Sequence, residues 1–336
     1  MLASIPSPSS GSIEIGPLTF RAYGVMIALG VLAAVWLAGK RFAQRGWSSD
    51  HATGLAMWAV PAGIIGARIY HVITDWRTFE GRWGEAFKIW EGGLGILGGV
   101  IAGSIAGIYY FRKHNVPLGV GFDIVAPSLP LAQAIGRWGN WFNQELYGRP
   151  TDLPWGLEID VDERPAEYIN DETFHPTFLY ESIWNLVLVG ILLKVDSTRR
   201  LRPWGLFFLY LAGYSVGRLW IEAIRIDPAS EIAGLRVNLW VFGVLLIGSV
   251  IAVIRSVRSP SEMESLVPLE VEARGGVAAG RDLDDEPRIA EADAEDDSEG
   301  DDPAEPDDPD SDAADSDSAD GADDDDLVVD SASESD

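Results

Sequence analysis

The chain has 336 residues, with 52 acidic and 25 basic side chains, 47% apolar residues and no cysteine. The charge is unevenly distributed, because residues 261–336 hold 31 of the acidic and 3 of the basic residues, whereas all 13 tryptophans precede them. The apolar residues form runs of about 17 to 22, the length that crosses a bilayer, which excludes a soluble globular domain, and the absence of cysteine excludes a disulfide framework.

Seven apolar runs predict an all-α polytopic membrane protein with about seven transmembrane helices. The runs cover residues 23–39, 52–73, 92–111, 119–135, 177–193, 203–224 and 237–254. The fourth run is the weakest, because Asp123, Pro127 and Pro130 interrupt it. Six spans are therefore an alternative.

The third run carries a glycine stripe at Gly95, Gly99, Gly103 and Gly107. A four-residue period places these glycines on one helix face, where another backbone can approach closely. Tight helix packing is favoured over the alternative, a glycine-lined substrate groove.

Basic residues in the short loops predict the orientation. They follow the first, third and fifth runs, at Lys40, Arg41, Arg45, Arg112, Lys113, Lys194, Arg199, Arg200 and Arg202. Loops rich in lysine and arginine stay in the cytoplasm. The N-terminus is therefore expected outside and the C-terminus in the cytoplasm.

The acidic C-terminal segment has a different composition from the rest of the chain. Its Asp, Glu, Ser, Ala, Gly and Pro residues bury too little apolar area to offset the entropy of ordering, and their charges repel one another. The sequence therefore predicts a transmembrane catalytic domain over residues 1–259 and a disordered acidic cytoplasmic tail over residues 260–336.

Several polar side chains fall inside the apolar runs or at their ends. They are Arg68, Arg137, Glu181, Arg218, Glu222 and Asn238, and alternating helix directions put all of them, with Tyr23, at the outer ends. Charges at this depth are costly and usually mark a site or a pathway. The alternative is that they reach the interface or pair, as Arg218 and Glu222 could. Several arginines at one depth favour a phosphate-binding site, because the guanidinium group donates two parallel hydrogen bonds.

The segment 136–148, GRWGNWFNQELYG, is the densest polar and aromatic stretch at the membrane boundary. Its arginine and asparagines supply donors for phosphate and hydroxyl oxygens. Glu145 could orient an arginine or accept a proton. A purely structural role, as an interfacial aromatic turn, is the alternative on spacing alone.

This segment resembles the signature of the bacterial prolipoprotein diacylglyceryl transferases. The matching residues are Gly136, Arg137, Gly139, Asn140, Asn143, Glu145 and Gly148. Other pieces similar to the family follow its order, namely FRAYG at 20–24, GARIYHV at 66–72, WEGGLGILGG at 90–99, HPTFLYE at 175–181 and GYSVGRLWIEAIR at 213–225. The resemblance covers residues 15–255 and excludes the tail.

The resemblance implies a reaction, its partners and its location. The diacylglyceryl group of phosphatidylglycerol would pass to the lipobox cysteine thiol of a prolipoprotein signal peptide, forming a thioether and releasing glycerol phosphate. The enzyme would lie in the bacterial plasma membrane, with its active site facing the outer leaflet of the bilayer.

The resemblance also implies roles for individual residues. Arg137 and Arg218 would bind the headgroup and stabilise the leaving group. Tyr23, Asn140, Asn143, Glu145 and Gly148 would shape the site, and Arg68 is a weaker candidate for the same pocket.

The general base is left open, because Leu97 stands where many members of the family have a histidine. Glu145 and His175 are the alternatives, and His175 is favoured as an interfacial hydrogen-bonding residue. A positive pocket could also supply thiolate without a dedicated base, since the pKa of a free thiol is about 8.5.

Some other functions are disfavoured. No pair of histidines has metal-ligand spacing on one helix, and no glycine-rich phosphate loop follows a strand, so we expect neither a metal nor another cofactor, and no nucleic acid as a partner. The alternative to an enzyme is a transporter or lipid-binding membrane protein that holds an anionic substrate at a broken helix.

Overall fold

The computed structural model describes residues 4–15, 18–89, 92–227 and 230–259. The predicted disordered tail over residues 260–336 lies outside the described residues, so its disorder and the domain boundary at residue 259 stay predictions. Trp90 and Glu91, which open one of the family-like motifs, also lie outside them, as does the side chain of Phe20.

The described residues are mostly helical, which confirms the predicted helical class. Helices follow the apolar runs because a backbone in hydrocarbon has to satisfy its own hydrogen bonds. The helices of the described part are α1 (Ala22–Gln44), α2 (Asp50–Thr74), α3 (Ile96–Lys113), α4 (Leu118–Val125), α5 (Ser128–Gly136), α6 (Trp138–Phe142), α7 (Thr177–Ser197), α8 (Gly205–Ile224) and α9 (Val237–Ser256).

Within the described residues, five segments are long and apolar enough to cross a membrane. They are α1, α2, the segment Leu118–Phe142 that contains α4 to α6, α7 and α9. Helix α3 ends in Arg112 and Lys113, and α8 carries Arg218 and Glu222, so both contain charges that a membrane span usually avoids. These helices support a multi-pass membrane protein, whereas the count of seven crossings stays a prediction.

The outward face of α9 is apolar. Val241, Val244, Ile247, Ile251 and Ile254 are all exposed, and they recur at the three- and four-residue spacing of one helix face. An exposed apolar stripe on a helix of this length is the surface that a bilayer covers.

The fourth predicted span is broken into the three helices α4, α5 and α6. Pro127 has no backbone N–H, so the carbonyl of Asp123, four residues earlier, has no helical partner there. Arg41 of α1 donates to that carbonyl instead, at 2.9 Å. The Asp123 carboxylate accepts the backbone N–H of Phe207, also at 2.9 Å, and therefore caps the first turn of α8.

In the part of the chain that the structure describes, three short antiparallel ribbons, which the sequence did not predict, accompany the helices. They pair β1 (Ser12–Ile15) with β2 (Leu18–Arg21), β3 (Leu157–Glu158) with β4 (Thr173–Phe174), and β5 (Glu231–Ile232) with β6 (Leu235–Arg236). Each ribbon directly precedes a helix or lies in the connection that leads to one. The ribbons therefore fix how the chain enters α1, α7 and α9.

The connection between α6 and α7 folds around its own apolar core. Tyr147, Leu157 and Phe174 are buried there together with Phe178 from the first turn of α7. Ile5 forms a parallel bridge with Leu157, so the N-terminal segment packs on this connection. The site described below is built next to this small cluster.

Helices α2 and α3 approach each other through glycines. A Cβ atom added to Gly98 would lie 2.2 Å from the carbonyl oxygen of Gly66, and one added to Gly99 would lie 3.3 Å from the carbonyl oxygen of Gly63. A Cβ atom added to Gly103 would lie 3.9 Å from the Cα atom of Gly63. The predicted packing role of the glycine stripe is confirmed, and the closest approach is made by Gly98, one residue outside that stripe.

We expect Gly98→Ala to destabilise the protein by about 1–3 kcal/mol, because its methyl group must push the α2 backbone away. The midpoint of thermal unfolding in detergent measures this effect. Gly190→Ala in α7 is the matched control, since a Cβ there meets no atom within 4 Å. Equal melting temperatures for the two variants would contradict the close packing of α2 on α3.

Candidate active site

Two arginine side chains from different parts of the chain meet at the carboxylate of Glu181. Glu181 on α7 accepts a hydrogen bond from Nη1 of Arg218 on α8, with 2.7 Å between Nη1 and Oε1. Its other oxygen, Oε2, lies 2.7 Å from Nε of Arg137, which stands between α5 and α6. The structure therefore brings Arg137 and Arg218 together on Glu181.

A second carboxylate extends this cluster. Glu222 accepts a hydrogen bond from Nη2 of Arg218 at 2.7 Å, so the pairing that was the alternative to a phosphate-binding site is present. Its Oε1 atom also accepts hydrogen bonds from Arg236 and from Asn238 on α9, each at 3.0 Å. Arg225 lies at 3.9 Å from Glu222 Oε2. Arg218 thus bridges the two glutamates and connects α7 to α8 and α9.

Burial makes these ion pairs obligatory. The side chains of Glu222, Glu181 and Arg218 are 1%, 4% and 8% exposed. A buried charge without a partner costs several kcal/mol. The Arg137 side chain is 21% exposed, so it is the more accessible of the two arginines on Glu181. An anion that enters the site can therefore reach Arg137 more readily than Arg218.

The segment 136–148 links Arg137 to Glu145 through Asn140. Arg137 donates from Nη1 to Oδ1 of Asn140 at 3.3 Å, and Asn140 donates from Nδ2 to Oε1 of Glu145 at 2.7 Å. Asn143 Nδ2 lies 3.5 Å from the same oxygen of Glu145. Because Asn140 is buried, it fixes the direction of the arginine on one side and of the carboxylate on the other.

Two glycines of this segment are required by close contacts. A Cβ on Gly139 would lie 2.6 Å from the ring of Tyr23, in the first turn of α1. A Cβ on Gly148 would lie 2.6 Å from Ile224 and 2.8 Å from Cβ of His175. The glycines thus allow α1, α7 and α8 to close around the segment.

Arg68 makes a different set of contacts. It donates hydrogen bonds of 2.6–3.0 Å to the backbone carbonyls of Glu85, Ala86, Gly92 and Gly93. Within the described residues, Arg68 shares none of these partners with Arg137 or Arg218. The structure therefore places Arg68 at the connection between α2 and α3, where it holds the backbone of that loop.

His175 lies at the start of α7 and is held by both its backbone and its ring. Its backbone pairs with that of Gly148 and Arg149. Its Nδ1 lies 3.1 Å from the hydroxyl of Tyr180, which itself accepts the indole N–H of Trp155 at 3.0 Å. Partial burial, and then the positive charge of Arg149, lowers the pKa of His175 below its ordinary value. The imidazole is therefore neutral at pH 7.

Among the described residues, two cavities lie near the segment 136–148, and neither is lined by Arg137, Glu181, Arg218 or Glu222. A polar one of about 410 Å³ is lined by Asn143 and Glu145 together with Asp160, Asp162 and Glu163. An apolar one of about 380 Å³ lies between α2, α3, α4, α5 and α8, and runs from Gln133 toward Phe111 and Phe207 at the other end of the helices; Gly99, Gly103 and Gly107 are also among the residues that line it. Gln133 is one helical turn from Arg137, so the apolar cavity reaches to within about 6 Å, measured along the helix axis, of the charged cluster. The glycine stripe therefore borders a cavity as well as packing against α2.

The sequence interpretation missed several residues of the cluster. Tyr214 interacts with the Arg137 guanidinium, and Arg225, Arg236 and Asp227 extend the ion pairs beyond Glu222. Tyr214 and Arg225 could have been found, because with Arg218 they follow the three- and four-residue spacing of one helix face. Arg236 gave no such signal, because it lies in the connection between α8 and α9 and its partners Glu222 and Asp227 are not close to it in the sequence.

Comparison with known proteins adds an independent finding. Residues 11–255 match the family model described as prolipoprotein diacylglyceryl transferase. Phosphatidylglycerol--prolipoprotein diacylglyceryl transferase 2 of Streptomyces coelicolor is 45% identical over 294 residues, which cover 87% of this chain and 91% of the relative. The corresponding protein of Corynebacterium efficiens is 48% identical over 267 residues, covering 76% and 83% of the two chains. That of Streptomyces griseus is 46% identical, covering 79% and 82%.

We expect Glu222→Gln to destabilise the protein by about 3–5 kcal/mol, because it removes the negative charge that compensates Arg218 and Arg236. Glu85→Gln is the control, since Glu85 pairs with an Arg82 side chain that is 63% exposed, and such pairs contribute at most about 1 kcal/mol. Unfolding of both variants in mixed detergent measures the difference. A Glu222→Gln variant as stable as Glu85→Gln would show that the buried ion pairs are not needed for folding.

Proposed function

This chain belongs to the prolipoprotein diacylglyceryl transferase family, and we propose that the cluster around Arg137, Glu181 and Arg218 is its active site. The chain is a transferase that carries the diacylglyceryl group of phosphatidylglycerol to prolipoproteins. The observation that carries the site assignment is that two arginines, Arg218 on α8 and Arg137 between α5 and α6, meet on one buried carboxylate.

The proposed reaction is a displacement at carbon. The sulfur of the lipobox cysteine attacks the glycerol carbon that bears the phosphate oxygen. A carbon–sulfur bond forms, the carbon–oxygen bond breaks, and its electron pair stays on the departing glycerol phosphate. Negative charge therefore grows on the phosphate, and guanidinium groups directed at that charge lower the barrier.

The two arginines are suited to different parts of this task. Arg218 donates to Glu181 and Glu222 through its two terminal nitrogens, so its position is fixed by the protein. Arg137 is more exposed and donates to Asn140 through a longer contact of 3.3 Å. We assign Arg137 the direct contact with the phosphate, while Arg218 adds positive charge and holds the carboxylate in place. Tyr23, Asn140, Asn143 and Gly148 shape the site around them.

The thiol proton needs an acceptor, and Leu97 cannot provide one. Glu145 is the candidate that the geometry favours, because it is exposed, lines the polar cavity and is oriented by Asn140. Positive charge from Arg137 also favours the thiolate form of an approaching cysteine. A lowered thiol pKa reduces the demand on the base.

The two cavities supply separate approaches for the two substrates. The apolar cavity suits the acyl chains of phosphatidylglycerol, since it is bordered by the glycine stripe and comes within about one helical turn of Arg137. The polar cavity suits the chain of the prolipoprotein around its cysteine. The reacting groups would then meet between them, beside Asn140.

The membrane orientation is part of the proposal. Seven crossings, with the N-terminus outside and the C-terminus in the cytoplasm, follow from the basic loops after the first, third and fifth runs. In that orientation the cluster faces the outer leaflet of the bacterial plasma membrane. The same orientation places the acidic tail in the cytoplasm.

A transporter is the rival interpretation. Transporter sites lie near the middle of the membrane, at the break of a discontinuous helix. Here Glu181 belongs to the first two turns of α7 and Glu222 to the last turn of α8. Their position near helix ends, together with the family relationship, favours the enzyme.

We expect Arg137→Lys to lower turnover by about 10²- to 10³-fold, because lysine keeps the charge but loses the two-point hydrogen bonding of the guanidinium group. The assay mixes purified protein, phosphatidylglycerol and a lipobox peptide, and follows the mass of one added diacylglyceryl group. Arg82→Lys is the control, since Arg82 is exposed and lies in another loop. Equal turnover in both variants would remove Arg137 from the site, whereas no adduct with the folded unmodified protein would contradict the function.

We expect His175→Ala to leave the dependence of turnover on pH unchanged. If the Tyr180 hydroxyl donates to Nδ1, the proton of the neutral ring is on Nε2, so neither nitrogen is available as a base. If His175 were the base, turnover would fall in acid as its imidazole becomes protonated. Because the pKa of His175 is lowered, that fall would come only below about pH 6.5, the ordinary pKa of histidine. If the decline of turnover in acid disappears in His175→Ala, His175 is the base.

A further inference from the structure

A second charged cavity lies at the opposite end of the helices from the proposed active site. It has a volume of about 210 Å³ and is lined by Arg45, Arg199, Arg258, Asp123 and Asp196, with apolar walls from neighbouring residues. Asp196 is fifteen residues beyond Glu181 on α7, so about 22 Å along the helix axis separates the two clusters. The cavity therefore cannot be part of the transfer site.

The charges of this cavity are held in place by the protein. Arg41 is buried and donates to the carbonyls of Asp123 and Ile124, while its Nη1 lies 3.1 Å from Asp196 Oδ2. Arg45 pairs with the other oxygen of Asp196. Asp123 is engaged as the cap of α8. Both aspartates thus serve structural contacts, and the cavity wall also carries the side chains of Arg199 and Arg258.

A short backbone pairing brings the last of these arginines to the cavity. Leu201 and Val257 form an antiparallel bridge, and the backbone N–H of Arg258 donates to the carbonyl of Arg200 at 2.9 Å. This pairing joins the connection between α7 and α8 to the segment that follows α9. Arg199 and Arg258, which come from distant parts of the sequence, therefore line one cavity.

We propose that this cavity binds a phosphate group at the membrane surface opposite the active site. Its cations are all arginines, whose planar fork matches the oxygens of a phosphate. The walls formed by Val120, Val195 and Leu206 add apolar surface beside the charges, which suits the headgroup and glycerol region of an anionic phospholipid. Free phosphate has the same chemistry without the apolar part, and the experiment separates the two sources.

The absence of cysteine from the chain permits a local test. Val195→Cys places a thiol on the cavity wall, and Lys113→Cys places one at an exposed position at the end of α3 as a control. The rate of maleimide alkylation is measured on the full chain in detergent, with inorganic phosphate or short-chain phosphatidic acid. We expect either probe to slow alkylation at position 195 and to leave position 113 unchanged. If phosphatidic acid protects at lower concentrations than inorganic phosphate, the cavity binds a lipid headgroup. If the two probes protect equally, it binds free phosphate.

Removing one cation should weaken the protection. We expect Arg258→Gln or Arg199→Gln, each in the Val195→Cys background, to raise the half-protecting concentration about tenfold, the effect of one charge-assisted hydrogen bond. Unchanged transferase activity shows that each variant is folded, and Val120→Cys replaces Val195→Cys if the latter is inactive. Alkylation that neither probe slows would overturn the proposal, and so would protection that both arginine variants retain in full.

Discussion

The need to pair buried charges is the constraint on which the site depends. Glu181 and Glu222 are almost fully buried, and each is shared by arginines from more than one part of the chain. Removing either partner of such a pair leaves a charge in a medium that solvates it poorly. The cluster can therefore form only when α5, α7, α8 and α9 have packed. Folding and assembly of the site are consequently one process.

Helix geometry and small residues make this arrangement possible. Arg218 and Glu222 are one turn apart, so both face the same side of α8. Gly139 and Gly148 remove the side chains that would otherwise collide with the residues packed against them. The short hydrogen bond from Asn140 to Glu145 then aligns the signature segment with the arginine that precedes it. The conformation of Arg137 is therefore fixed by uncharged neighbours, namely Asn140 and the two glycines, as well as by Glu181.

The sequence predicted what depends on length and local spacing. Apolar runs predicted the helices, the four-residue period predicted the packing of the glycine stripe, and the spacing of Arg218 and Glu222 offered their pairing as the alternative to a phosphate-binding site. It did not predict the partners of Arg236 or the contacts of Arg68, because these depend on how distant segments and loops fold. The short ribbons were missed for a related reason, since strands of two to four residues carry too little periodicity to be recognised. Family resemblance named residues of the site, but their contacts required the fold.

Charge balance connects the cluster to the proposed reaction. Arg137, Arg218, Arg225 and Arg236 stand against Glu181, Glu222 and Asp227, which leaves one positive charge in excess. A phosphodiester carries one negative charge, which balances the excess of these ion-paired residues, while the Glu145 carboxylate is counted separately because it takes up the thiol proton. Attack by a thiolate moves a second negative charge from sulfur to the departing phosphate. Interactions that strengthen with this transfer lower the barrier, whereas a larger cationic excess would also tighten the binding of the substrate and slow the release of the more negative product. The buried carboxylates therefore do more than fix the arginines, because they limit ground-state binding while the accessible face of Arg137 meets the charge that develops.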